Sequence, residues 1–231
     1  MQNQIDLWKQ YKSFVAQGWK ADLADKERLI TPFLFAITLL LLFNFVFDEI
    51  SQGIEKYIFT AEVFLTSLFA LQMSFVRIFT PDQQDKVFVQ LQSYPLNYYA
   101  WFLGKYTLAL LYSLSVFVPV VLLCGLFFSG SDFTVWNAGL WLTAGLSLIG
   151  LSTLGILLST LTLKASGREM LFPLLYFPLA VPVLIASVQS SLIFLSTTQA
   201  GAWQWLGLLT GFDIIYFTLG LLLYGELINS V

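Results

Sequence analysis

Residues 103–128 read LGKYTLALLYSLSVFVPVVLLCGLFF and carry no charged side chain after Lys105. An apolar stretch of about 20 residues is long enough to cross the hydrocarbon core of a bilayer as a helix. Similar apolar runs lie on both sides of this stretch, so the sequence predicts an all-α membrane protein with six transmembrane helices. The predicted spans are 30–47, 57–79, 103–128, 135–163, 170–195 and 205–226.

The composition excludes several other classes of protein. Of the 231 residues, 58% are apolar and 11% are charged, whereas a soluble domain is roughly 25% charged. The chain has no His and one Cys, which excludes imidazole chemistry, an internal disulfide and a Cys-based metal cluster. We therefore expect no metal site and no cofactor bound by this chain. A net charge of −3 with scattered basic residues argues against a nucleic-acid partner.

The basic residues predict the orientation of the chain. Ten of the 11 lie on one side of the six predicted spans, and only Lys56 lies on the other. The positive-inside rule then places both termini in the cytoplasm. Trp136, Trp203 and Trp205 fall where spans begin at the outer face, as expected of an aromatic belt.

Residues 1–29 predict an amphipathic helix that precedes the six-helix transmembrane domain at 30–231. Bulky side chains recur along this segment at helical spacing, which is typical of a helix that lies on the inner membrane surface. A plain membrane anchor and a helix that also contacts a cytoplasmic partner both fit the pattern. The bulky side chains are Trp8, Tyr11, Val15 and Trp19.

Residues 80–94 predict a short cytoplasmic helix between spans 2 and 3. Thr80 is suited to the N-cap, Pro81 to the first helical position and Gln83 to the capping box. Asp82 would lie at the positive end of the helix dipole. An apolar face on such a helix fits either the groove of a partner protein or the membrane surface. The apolar face consists of Val87, Phe88, Leu91 and Tyr94.

Two acidic residues, Glu62 and Asp213, fall inside predicted spans. Glu62 is about five residues from the outer end of span 2, within reach of the interface, whereas Asp213 is about eight residues deep. An ionised carboxylate at the centre of a membrane helix costs roughly 2.5–3.5 kcal/mol, so both residues are candidates for function. For Asp213, the alternative is a protonated or hydrogen-bonded group that faces another helix. Glu226, near the inner end of span 6, is expected to be hydrated.

Proline and small residues predict the shape and packing of the later spans. Three prolines in span 5 each remove a backbone hydrogen bond, which predicts either a hinge or a fixed kink. Pairs of small residues four apart allow helices to approach closely. The prolines are Pro173, Pro178 and Pro182, and the small pairs are Thr143 with Ser147, Gly155 with Ser159, and Gly207 with Gly211.

These features together resemble the permease subunits of ABC exporters of the ABC-2 type, and more specifically the CcmB family (haem exporter protein B) of cytochrome c maturation. The resemblance covers nearly the whole chain. In that family the cytoplasmic helix usually reads Asp-Gly-x-Leu-Glu-x-Leu, and this chain has Lys86 for the Gly and Val89 for the Glu. The stretches that carry the resemblance are Lys26-Glu27-Arg28, Phe79 to Lys105, and Leu163 to Pro182.

The resemblance implies a non-catalytic membrane subunit that works with a separate ATPase. A CcmA-like subunit would hydrolyse ATP and dock on the coupling helix at 80–94, through Asp82, Asp85 and its apolar face. CcmC-like and CcmD-like membrane subunits would join the complex, with two permease copies. The cargo would be haem, either exported or released with the haem-loaded chaperone CcmE.

Two other functions also fit the sequence. The first is an ABC-2-type exporter of a lipid, a polysaccharide or an amphipathic compound, in which case the host would still make c-type cytochromes without this protein. The second is a membrane scaffold that has no ATPase.

Overall fold

The computed structural model describes residues 2–24, 26–47, 54–80, 98–128, 135–163, 165, 167–196 and 201–229, without the side chains of 2–7, 21–24, 26–29 and 226–229. This part of the chain contains seven α-helices and no strand. They are α1 (Gln2–Ala24), α2 (Lys26–Phe47), α3 (Glu55–Val76), α4 (Tyr98–Phe127), α5 (Ala138–Leu161), α6 (Arg168–Leu195) and α7 (Ala202–Asn229).

The helices α2 to α7 are long and apolar enough to cross a membrane, which confirms the predicted six-span architecture. The largest difference in a boundary is at α4, which begins at Tyr98 instead of residue 103. Its extra turn is held by aromatic packing against α7. The ring centroids of Trp101 and Tyr224 are 6.0 Å apart, and those of Phe102 and Tyr224 are 5.1 Å apart. Such ring pairs add stability beyond their buried area.

The helix α5 lies at the centre of the bundle and contacts α3, α4, α6 and α7. Small residues on α5 allow these contacts, because a β-carbon at several of its glycines would overlap a neighbouring side chain. Gly139 faces the ring of Phe194, and Gly155 faces the ring of Phe75. Membrane helices gain no hydrophobic drive from lipid, so such close backbone approach is a main source of their association.

Buried hydroxyl pairs add hydrogen bonds across the same helix contacts. The hydroxyl oxygens of Ser147 and Ser187 are 2.7 Å apart, and Ser190 donates to Thr143 at 3.1 Å, which joins α5 to α6. Ser159 on α5 donates to the backbone carbonyl of Phe75 on α3. The small pairs 143/147 and 155/159 therefore both lie at helix contacts, in agreement with the sequence analysis.

The third small pair does not pack against the described part of the chain. No described side chain approaches within 4 Å of the position of a β-carbon at either Gly207 or Gly211. The two glycines lie on the side of α7 that faces away from α5. The buried side of the same helix carries Leu209 and Asp213. The expectation that Gly207 and Gly211 allow close helix approach is therefore wrong for contacts among the described helices.

The first helix forms as predicted and packs against the beginning of α4. Phe14 lies over Gly104, and Leu108 lies against Gly18. The ring centroids of Phe14 and Trp101 are 6.4 Å apart. Its contact with the bundle is therefore made through Phe14 and Gly18, while the side chains on its other face remain exposed.

We expect Gly155→Ala to destabilise the protein by about 1–3 kcal/mol, because the new methyl group would overlap the fully buried ring of Phe75. The matched control is Gly145→Ala on the same helix, where the new methyl group meets open space. The measurement is the thermal unfolding midpoint of the purified protein in mild detergent. Equal midpoints for the two variants would contradict the packing described here.

Candidate functional site

The predicted coupling helix lies almost wholly outside the described residues. Its proposed docking residues, Asp82, Asp85, Val87, Phe88, Leu91 and Tyr94, belong to the segment 81–97, which is not described. The structure does describe both flanks of this segment, which are the turn after α3 and the first turns of α4. We call this end of the bundle the coupling end, defined by Val76 on α3 and Tyr98 on α4.

A buried lysine connects the two flanks of the segment 81–97. Lys105 on α4 is 7% exposed, and its Nζ lies 5.3 Å from the ring centroid of Phe79, which is fully buried. A desolvated cation over an aromatic ring contributes about 2 kcal/mol or more. The sequence analysis had counted Lys105 only as a positive charge. A lysine two turns inside an apolar helix cannot face lipid tails unless it snorkels, and this was the available signal for its burial.

A small cleft of about 160 Å³ opens at the coupling end between α2, α3 and α6. Arg77 and Glu169, at the ends of α3 and α6, supply its charged groups, and both residues are exposed. The rest of its lining is Thr31, Pro32, Gln72, Met73 and Val76.

Asp213 lies in the middle of α7 and is 5% exposed. Its part in function remains a prediction. Its Oδ1 packs directly against Gly150 on α5, beside Val183 on α6. The phenols of Tyr106 and Tyr216 lie near enough to interact with its charge. Neither carboxylate oxygen has a hydrogen-bond partner among the described residues. The described part of the structure therefore does not contain the hydrogen bond that the sequence analysis offered as one alternative for Asp213.

Glu62 lies on α3 and is 2% exposed. The thiol of Cys124 on α4 is close enough to interact with its carboxylate but does not have the geometry of a full hydrogen bond. The hydroxyls of Thr66 and Ser67, one turn further along α3, are also buried without a partner in the described residues. This stretch of α3 thus carries several buried polar groups that have no hydrogen-bond partner in the part of the chain that the structure describes.

The two carboxylates are not brought together, since Glu62 meets Cys124 while Asp213 meets Gly150 and Val183. Among the described residues, no group of three or more His, Cys, Asp or Glu side chains could hold a metal ion. The geometry is therefore that of two separate polar positions within an apolar bundle, each closed off from the surface.

The three prolines of span 5 lie within one continuous helix, α6. Pro178 is exposed, whereas Pro173 and Pro182 are half-buried. The hydroxyl of Tyr216 on α7 donates to the backbone carbonyl of Leu179 at 2.7 Å, which ties α7 to the stretch between the last two prolines. The hinge remains a prediction, and this hydrogen bond is the contact that a hinge motion there would have to break.

We expect Asp213→Asn to raise the thermal stability of the protein, because it removes a buried carboxylate that has no hydrogen-bond partner among the described residues. The expected gain is about 1–3 kcal/mol, comparable with the insertion cost of such a charge. The control is Glu55→Gln in the first turn of α3, where loss of a favourable helix-dipole contact should not raise stability. A lower unfolding midpoint for Asp213→Asn in mild detergent would show that the carboxylate is needed for packing.

Comparison with known proteins identifies the family of this chain. No curated protein sequence matches the chain. The family model described as CcmB protein matches residues 11–225, which run from the middle of α1 to the end of the last membrane span. The match includes both buried carboxylates, the segment 81–97 and all three prolines of α6. The chain therefore belongs to the CcmB family of multi-pass membrane proteins.

Proposed function

We propose that this chain is the membrane subunit of an ABC transporter that serves cytochrome c maturation. In this role it transmits ATP hydrolysis by a separate ATPase subunit to the export of haem or to the release of a haem-loaded chaperone. The observation that carries the proposal is the CcmB match across residues 11–225, on a bundle of six membrane-spanning helices. The distribution of Lys and Arg supports an orientation with both termini and the coupling end in the cytoplasm. The location that the family resemblance implies is the bacterial inner membrane.

The contacts at the coupling end support a route for this transmission. The segment 81–97 is the proposed docking site for the ATPase, and its two flanks are joined by Lys105 and Phe79. A displacement of the segment would therefore move α3 and α4 together. These two helices carry Glu62 and Cys124, which lie against each other. The aromatic contacts of Trp101 and Phe102 with Tyr224 would extend the motion to α7, which carries Asp213.

The residue inventory favours release of a loaded chaperone over direct haem ligation by this chain. The chain has no His, and its one Cys is buried beside Glu62. His, Cys, Met and Tyr are the usual axial ligands of haem. The chain would therefore hold haem only through Tyr, Met or apolar contacts, and the CcmC-like subunit would handle the haem itself.

The proposal is tested by purifying the tagged protein from its native membranes in mild detergent and identifying the proteins that accompany it. We expect an ATPase together with a Trp-rich haem-handling membrane subunit. An ATPase alone, in a host that still makes c-type cytochromes without this protein, would favour an exporter of another amphipathic cargo. The absence of any ATPase would contradict the transporter function and favour a scaffold.

We expect Phe88→Asp and Asp85→Lys each to abolish the stimulation of ATP hydrolysis while leaving membrane insertion intact. The reason is that the first places a charge on the apolar docking face and the second reverses a charge beside it. The measurement is the ATPase rate of the reconstituted complex. Lys56→Glu, a charge reversal at the opposite end of the bundle, is the control and should leave the stimulated rate unchanged. Normal stimulation in both docking variants would refute the proposed contact.

A further inference from the structure

Between Asp6 and Asp22, the exposed face of α1 carries only positive charge. Residues 8–20 contain Lys9, Lys12 and Lys20 and no acidic residue. At about 100° per residue these three lysines fall within an arc of roughly 80° on one side of the helix. All three are exposed. The opposite face of α1 packs against α4, so this lysine stripe points away from the bundle.

Two tryptophans lie along the edge of the lysine stripe. Trp8 is 58% exposed and Trp19 is 45% exposed. The Nζ of Lys12 lies 5.1 Å from the ring centroid of Trp8. Trp favours the boundary between headgroups and acyl chains, and Lys favours the phosphates just outside it. The order of these side chains around α1 therefore matches the order of the layers at a membrane surface.

A groove of about 300 Å³ lies beneath Trp19, between α1, α2 and α4. Two of its lining residues carry a hydroxyl, Tyr112 and Ser115, and the Ser115 hydroxyl donates to the backbone carbonyl of Tyr112 at 2.8 Å. The rest of the wall is apolar and suits a hydrocarbon chain, which offers no hydrogen bonds. The apolar residues of the wall are Trp19, Ile30, Phe33, Leu111 and Val116.

We propose that this groove and the lysine stripe together form a binding site for one anionic phospholipid of the adjoining leaflet. Trp19 lines the groove, and the edge of the lysine stripe lies about 20° further around α1, so a lipid whose acyl chain enters the groove has its phosphate on the side of the stripe. Charge complementarity selects the anionic headgroup, and the apolar wall selects the chain. The bound lipid stabilises the contact of α1 with the first turns of α4.

The headgroup contact is tested by native mass spectrometry of the full-length protein in mild detergent, with phosphatidylglycerol and phosphatidylcholine of identical acyl chains. We expect the protein to retain phosphatidylglycerol preferentially. In the Lys12→Gln/Lys20→Gln variant, the affinity for phosphatidylglycerol should fall about fivefold for each lysine removed. Lys56→Gln, at the opposite end of the bundle, should leave it unchanged. Equal retention of the two lipids by the unmodified protein would overturn the proposal.

The acyl-chain contact is tested with Ser115→Phe and the smaller Ser115→Leu, which fill the groove. Both should lose the retained lipid. The matched control is Leu114→Phe, since Leu114 is 45% exposed on the same helix and does not line the groove. If a groove variant keeps the normal unfolding midpoint and still retains the lipid, the groove is not the binding site. A protein subunit that co-purifies and prevents lipid binding at α1 would also overturn the proposal.

Discussion

The rest of the structure depends on how closely other helices can approach α5. Lipid tails are as apolar as leucine, so the helices of this bundle gain little from hiding apolar surface from one another. What holds them is contact at short range, and α5 provides it with glycines at the contact points and with hydroxyls that bond across them. Gly155 and Ser159 hold α3 through Phe75, while Thr143 and Ser147 hold α6. Larger residues at these positions would separate the helices.

The same close packing encloses the groups that are least suited to the membrane. Asp213 is pressed against Gly150, and Glu62 lies against Cys124, with no hydrogen-bond partner for either carboxylate among the described residues. A folded chain keeps such groups only at a cost in stability. Neither lies on the surface, where water would remove that cost. In the proposed function the two carboxylates have a role, because helix motion during a transport cycle would change the surroundings of each carboxylate.

The helix α4 connects α1, the coupling end and the buried carboxylate of Glu62. Its first turns meet α1 through Gly104 and Leu108, and its Lys105 meets Phe79 at the flank of the segment 81–97. Its far half carries Cys124 beside Glu62. If an ATPase docks on the segment 81–97 and a lipid binds beneath α1, both act on the same helix, the first near Lys105 and the second near Leu111. Lipid composition would then influence how firmly the coupling end is held.

The sequence by itself determined the class, the six spans and the positions of the carboxylates, because length and hydropathy suffice to define a membrane helix. Only the tertiary structure decided which side of each helix faces a neighbour. The spans are apolar all round, so no periodic pattern separates the bundle interior from the lipid. For this reason Gly155 and Gly207 look alike in sequence, yet one lies at a helix contact and the other meets open space. The position of Lys105 two turns inside an apolar helix indicates that it is buried or snorkels, but its contact with Phe79 depends on where α4 meets the turn after α3.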